Sequence, residues 1–286
     1  MRKTISTAET QRLRAVRSSL LMFLSSLCLC VSVVNSSAQE KPPAPGAPRP
    51  VKLPQIVEKK LPNGLTVVTV TRKGSPLVAA RLMVAAGSAG ENLQSAGLAN
   101  VTADLITKGT KTRDATKIAE DLEFLGANLD AVSSRDVTSI SLSVTSDKLG
   151  QAMAVMSDVV LHPTFPQSEL DLLKSQKVDE LTANLRAPGF LTTYVASVYS
   201  FGSSPQGGTP ASLQAMTRNE VVNFYSGSYS PAGATLIFVG DIDPATAYKQ
   251  AQLNFGTWKR PSTSGFALGP PTMAEDPNAK HPILNR

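Results

Sequence analysis

The sequence predicts an α+β fold: a mostly antiparallel sheet with helices layered on one face. Three observations carry this. Two β-rich runs, residues 54–61 and 65–72, flank the turn dipeptide Asn63-Gly64 and read as a hairpin. Residues 136–145 (DVTSISLSVT) alternate, with Val137, Ile140, Leu142 and Val144 marking half-buried β structure. Between and after these runs lie segments with apolar residues at the helical period, separated by Gly and Pro. The chain has 286 residues, of which 42% are hydrophobic and 17% charged, so it can bury a sizeable core and is neither fibrous nor disordered.

Before the first strand, residues 20–34 (LLMFLSSLCLCVSVV) follow Arg12, Arg14 and Arg17 and are closed by Ser36-Ser37-Ala38, a small-x-small cleavage pattern. Residues 1–38 therefore read as a secretory signal peptide. The apolar run is shorter than the roughly 18 to 20 residues that span a bilayer, and serines dilute it, so no integral membrane segment is expected after cleavage. Both cysteines, Cys28 and Cys30, fall in this leader, which leaves the mature chain without a thiol, a disulfide or a Cys-based metal site. Five basic residues and one acidic residue go with it, lowering the formal charge from +6 to +2. The remainder lacks the clustered Lys and Arg that nucleic acid requires. Residues 39–53, with KPPAPGAPRP, read as a proline-rich spacer, and 261–286 as a proline-rich tail.

The lobe itself spans 54–260. A third strand is expected over 77–86, broken by Gly87 to Gly90. A helix over 95–108 carries Leu98, Val101, Leu105 and Ile106 and stops at Gly109. Asp114 can cap a second helix bearing Ile118, Leu122 and Leu125, which ends at Gly126. Strands over 127–133 and 136–145 come next. Helices follow over 149–161, 166–185, 190–199 and 218–226, then a strand over 234–239 and a helix over 244–253. GSAGENLQSAG (residues 87–97) is glycine-rich but lacks the Lys-Ser/Thr ending of a phosphate-binding loop, so it reads as a strand-to-helix connection. GSSPQGGTP (202–210) reads as a loop.

The segment GLANVTADLITKGT, residues 97–110, resembles the helix that carries the inverted zinc motif H-x-x-E-H in the insulinase and pitrilysin family of metallopeptidases, the relatives of the mitochondrial processing peptidases. Gly97, Ala99, Leu105, Lys108, Gly109 and Thr110 match the surrounding frame. The two histidine positions hold Asn100 and Asp104, and the glutamate position holds Ala103. LPNGLTVV, IAEDLEFLGANLDA with SISLSV, LHPTFPQSELDLLKSQKVDEL and the block from FGSSPQGGTP to FVGDID are similar to the family in order and spacing, over roughly residues 55–258. The resemblance implies one lobe of a processing-peptidase/LuxS-like metallohydrolase fold, and the tail resembles an interlobe linker. The loop 202–210 resembles the family's loop near the substrate cleft.

In an active member the two imidazoles bind zinc, a distant glutamate completes the ligands, and the motif glutamate takes a proton from the bound water. Asn100 offers a neutral amide, Ala103 no proton acceptor, and Asp104 a lone carboxylate. Glu180 lies 76 positions beyond Asp104, about the family's distance for the third ligand. It is a relic ligand, or a solvated glutamate beside Lys177, or the register prefers Asp179. A residual Ca²⁺ or Mg²⁺ site of Asp104, Asn100 and Glu180 is the weak metal candidate, since three oxygens leave most of a hard cation's shell to water. His162, before Pro163, and His281, in the tail, have no recognised zinc spacing.

Residues 1–38 thus lead to an exported, periplasmic or secreted, bacterial protein, and the resemblance with Asn100, Ala103 and Asp104 at the motif positions implies a subunit that is non-catalytic and holds no cofactor of its own. It would pair with a zinc-bearing, pitrilysin-type subunit or second lobe and help enclose peptide substrate. The alternatives are an active zinc metalloendopeptidase and a structural envelope protein on the same fold.

Overall fold

A computed structural model of the chain describes residues 54–201, 205 and 207–259. The expected leader, spacer and tail, with Cys28, Cys30 and His281, lie outside the described residues. β1 (Ile56–Lys60) and β2 (Thr66–Thr71) form the expected antiparallel hairpin. Gly64 holds φ +99° in its turn, a conformation that side chains disfavour. The Asn63 side-chain amide donates to the carbonyl oxygens of Phe255 and Trp258 at 2.7 and 3.2 Å, tying this first turn to the end of the lobe.

β3 (Leu77–Val84) buries every second residue, Val78, Ala80, Leu82 and Val84, which gives the sheet one packed face. β4 (Asn128–Ser133), β5 (Thr138–Thr145) and β6 (Thr235–Gly240) complete six strands in the order β1-β2-β6-β3-β5-β4. Among the described strands only the β2–β6 pair is parallel. The last described strand thus inserts between the second and third and locks the first hairpin into the sheet.

Eight α-helices are described: α1 (Leu98–Leu105), α2 (Ala115–Phe124), α3 (Leu149–Leu161), α4 (Gln167–Asn184), α5 (Pro188–Phe201), α6 (Pro210–Ala215), α7 (Arg218–Ser228) and α8 (Pro244–Phe255). Their starts follow from capping chemistry. Asp114 accepts the Lys117 N–H, Thr217 and Glu220 form a reciprocal capping box, and Asp243 accepts from Ala245 and Thr246 just before Pro244. α6 is absent from the expected elements. It starts at a Thr209–Ser212 capping box with Pro210 in its first turn, a signal the glycine-rich approach obscured.

The core joins Leu82, Ile140, Leu142, Leu236 and Phe238 of the sheet to Leu105, Met153, Met156, Leu170 and Phe255 of the helices, all essentially inaccessible. Each such side chain contributes about 1.5 to 3 kcal/mol by leaving water. Truncating one, as in Leu142→Ala, costs about 2 to 5 kcal/mol because a cavity remains. Among the described residues no helix is long and apolar enough to cross a membrane.

Candidate functional site

α1 is buried along most of its length, through Leu98, Ala99, Val101, Thr102, Ala103 and Leu105. Asn100 and Asp104 are its partly exposed residues, and their spacing of four places them on one face. Ala103, the third of the three residues singled out in the sequence, is 0% exposed. A carboxylate there would have to displace packed neighbours and enter without water.

The helix is aimed by its N-terminus. Gly97 takes φ +89°, and a Cβ on it would press on Gly208 and Gly207, so the 87–97 connection and the glycine-rich loop before α6 meet backbone to backbone. Ser212 Oγ donates to the Ala96 carbonyl at 2.9 Å, and Tyr194 OH donates to the Gly208 carbonyl at 2.7 Å. Glu91 accepts the Gly97 and Ala99 N–H groups at 2.9 and 2.6 Å. Burial pushes its carboxyl up to about 7, although both N–H groups favour the ionised form.

Downstream of α1, Asp158 on α3 accepts from Thr110 Oγ1, Thr112 Oγ1 and Arg113 Nη1 at 2.8, 2.9 and 2.6 Å. Burial works against its charge, but the two hydroxyls and the guanidinium together hold its pKa below the ordinary value. His162, at the end of α3 as expected, places Nδ1 3.2 Å from Asp158 Oδ1. It stands in this structural network on the α1–α2 connection.

Asp104 meets α4. Its Oδ2 lies 2.6 Å from Lys177 Nζ, an ion pair between two partly buried side chains. Glu180 and Asp179, one turn further along α4, are exposed. Among the described residues no group of three His, Cys, Asp or Glu side chains could hold a metal ion. The Tyr229 hydroxyl is buried without a well-formed hydrogen bond, as is Thr102 Oγ1 on α1. Burial raises the Tyr229 pKa, a nearby Thr138 hydroxyl opposes this, and the charge of Asp104 adds to it. Glu91 and Tyr229 carry no sequence signal as site residues, because a distant cap and a core tyrosine each depend on the tertiary fold.

β4 runs beside α1 at one edge of the sheet, paired with β5 on one side and with no strand on the other among the described residues. Asn128, Asp130 and Val132 are exposed along it. α1 and the edge strand of the sheet are therefore neighbours.

The insulinase model (peptidase family M16) matches residues 66–196, and the model of the peptidase M16 inactive domain matches residues 215–284. The chain belongs to the insulinase family. An uncharacterised zinc protease of Rickettsia bellii is 26% identical over 212 residues, covering 73% of this chain and 52% of that protein. The solved peptidase M16 inactive domain from Pseudomonas fluorescens matches with a TM-score of 0.68 and 24% identity, over 74% of this chain and 52% of that one. The periplasmic protease PqqL from Escherichia coli matches with a TM-score of 0.67 and 22% identity, over 75% of this chain and 25% of that one. The chain spans about half the length of the curated relatives it matches.

Proposed function

We propose that this chain is a non-catalytic lobe of an insulinase-family peptidase, which pairs with a zinc-bearing subunit or second lobe and helps hold extended peptide. The observation that carries the reading is the chemistry of α1. Asn100 supplies an amide, Ala103 is a sealed methyl group, and Asp104 is already engaged by Lys177. Zinc at a catalytic site takes three protein ligands with an open position for water, and it needs a neighbouring base. This donor set does not fit that ion. Glu180, exposed on α4, is a solvated glutamate in this reading.

Peptide holding is supported by the β4 edge beside α1. An open strand edge offers unpaired N–H and C=O groups that an extended peptide can join as an added strand. Pairing is supported by the length of the relatives, which is about twice what this chain covers. Export is supported by the charged, apolar and small-residue order of residues 1–38 and by the fold's likeness to a protein described as a periplasmic protease.

The test is co-purification of the native complex followed by peptide cleavage assays on the complex and on this chain alone. Cleavage that needs a co-purifying partner with an intact H-x-x-E-H helix supports the reading. Recovery of this chain without such a partner favours a structural envelope protein instead.

A further inference from the structure

Lys177 extends from α4 to α1 and ends in a single short contact, its Nζ 2.6 Å from Asp104 Oδ2. The pair is neither fully exposed nor sealed: the two side chains retain 25% and 35% of their accessible surface. Its neighbour one turn earlier, Lys174, is committed elsewhere and donates to the Met216 carbonyl at 2.6 Å. The face that α4 turns inward therefore runs Leu170, Lys174, Lys177, Val178 and Leu181, with Glu180 outside it. At the junction with the motif helix, α4 presents an ammonium and no carboxylate.

We propose that the Lys177 ammonium is the built-in cation of this lobe: it neutralises Asp104, ties α4 to α1, and keeps a divalent metal from settling on the motif helix. The proposal rests on the reading of α1 as a helix without a zinc site, and it adds the reason the face does not hold another metal in zinc's place. A divalent ion bound at Asp104 would stand a few ångströms from the ammonium. Repulsion between charges at that distance outweighs what one carboxylate and one amide oxygen return to an ion that has shed water. Asp104, Asn100 and Glu180 therefore form no Ca²⁺ or Mg²⁺ site while Lys177 is in place. The ammonium holds the two helices together without needing a metal supply.

The experiment compares the full chain with Lys177→Met, Lys177→Glu, Lys177→Arg and the double variant Lys177→Met with Asp104→Asn. Lys111→Met, at an exposed position on the α1–α2 connection, controls for net charge. Each protein is titrated with zinc, manganese and calcium chlorides by calorimetry and melted with and without chelator. The parent and Lys177→Arg are expected to melt alike and to show no metal-dependent shift. Lys177→Met should lose about 2 °C in Tm, the scale of a partly exposed pair in a domain of this size. It should also gain at least about tenfold in divalent-ion affinity, and Lys177→Glu should gain more, because repulsion is removed and then replaced by attraction. The double variant must lose that gain, which places the ion at Asp104. The proposal is overturned if the parent binds these ions as tightly as Lys177→Met, or if the gain survives Asp104→Asn. It is also overturned if all Lys177 variants match the parent in both melting and titration. Cleavage of peptide by the parent alone would instead strike the non-catalytic reading, so the two failures are distinct.

Discussion

The Glu91 carboxylate accepts the Ala99 N–H at 2.6 Å and the Gly97 N–H at 2.9 Å, so a buried acid caps the helix that carries Asn100, Ala103 and Asp104. Capping by a carboxylate suits the positive end of a helix, yet burial leaves this one with a pKa near 7.

That shift sets a pH dependence. The folded value, about 7, lies above the reference value of 4.5, so between them the folded chain binds more protons than the unfolded one. Stability from this group is fully present below about pH 4.5 and is lost as pH rises towards 7, by about 3 kcal/mol in all. Melting curves across that window should slope less in Glu91→Gln than in the parent. Equal slopes would remove Glu91 as their source.

Asp158→Asn should destabilise the lobe by about 2 to 3 kcal/mol. It weakens the acceptor that serves Thr110, Thr112 and Arg113, and it leaves the guanidinium without one of its two carboxylate partners, the other being Asp121. Urea unfolding measures the loss, and a change below about 0.5 kcal/mol would show that the network is incidental.

Ala103→Glu should cost at least about 3 kcal/mol, because it forces a carboxylate into a position with no exposure. Asn100→His, at a partly exposed position on the same helix, should stay within about 1 kcal/mol of the parent. Paired denaturation curves decide this. Equal tolerance at both positions would mean that the pocket for the family's base is still open.

Gly240→Ala tests how the last strand is seated. Gly240 holds φ +135°, and a Cβ there would collide with the Leu77 carbonyl oxygen, so the substitution should cost about 2 to 4 kcal/mol and loosen β6 from β3. Amide exchange along β6 reports it, and unchanged protection would contradict the seating.

Most of the fold was legible because local chemistry carried it. Asn63-Gly64 marked the hairpin, Asp114 and Gly126 bracketed α2, and the alternation through Ile140, Leu142 and Val144 marked β5. What stayed hidden was tertiary. Nothing local places β6 parallel to β2, between it and β3, and α6 rests on a two-residue cap within a glycine-rich stretch. At the site, the frame of residues 97–110 marked the helix that carries Asn100, Ala103 and Asp104. The partner of Asp104 could not be read the same way. Lys177 and Glu180 share α4, and only the packed orientation of that helix decides which side chain reaches α1.

The most direct measurement uses the purified chain alone, with zinc content determined by elemental analysis and peptide cleavage followed with and without chelator. The expected result is less than about one-tenth of an equivalent of zinc and no chelator-sensitive cleavage, since α1 offers no imidazole and its one carboxylate, Asp104, is paired with Lys177. One equivalent of zinc together with cleavage that a chelator abolishes would contradict the account.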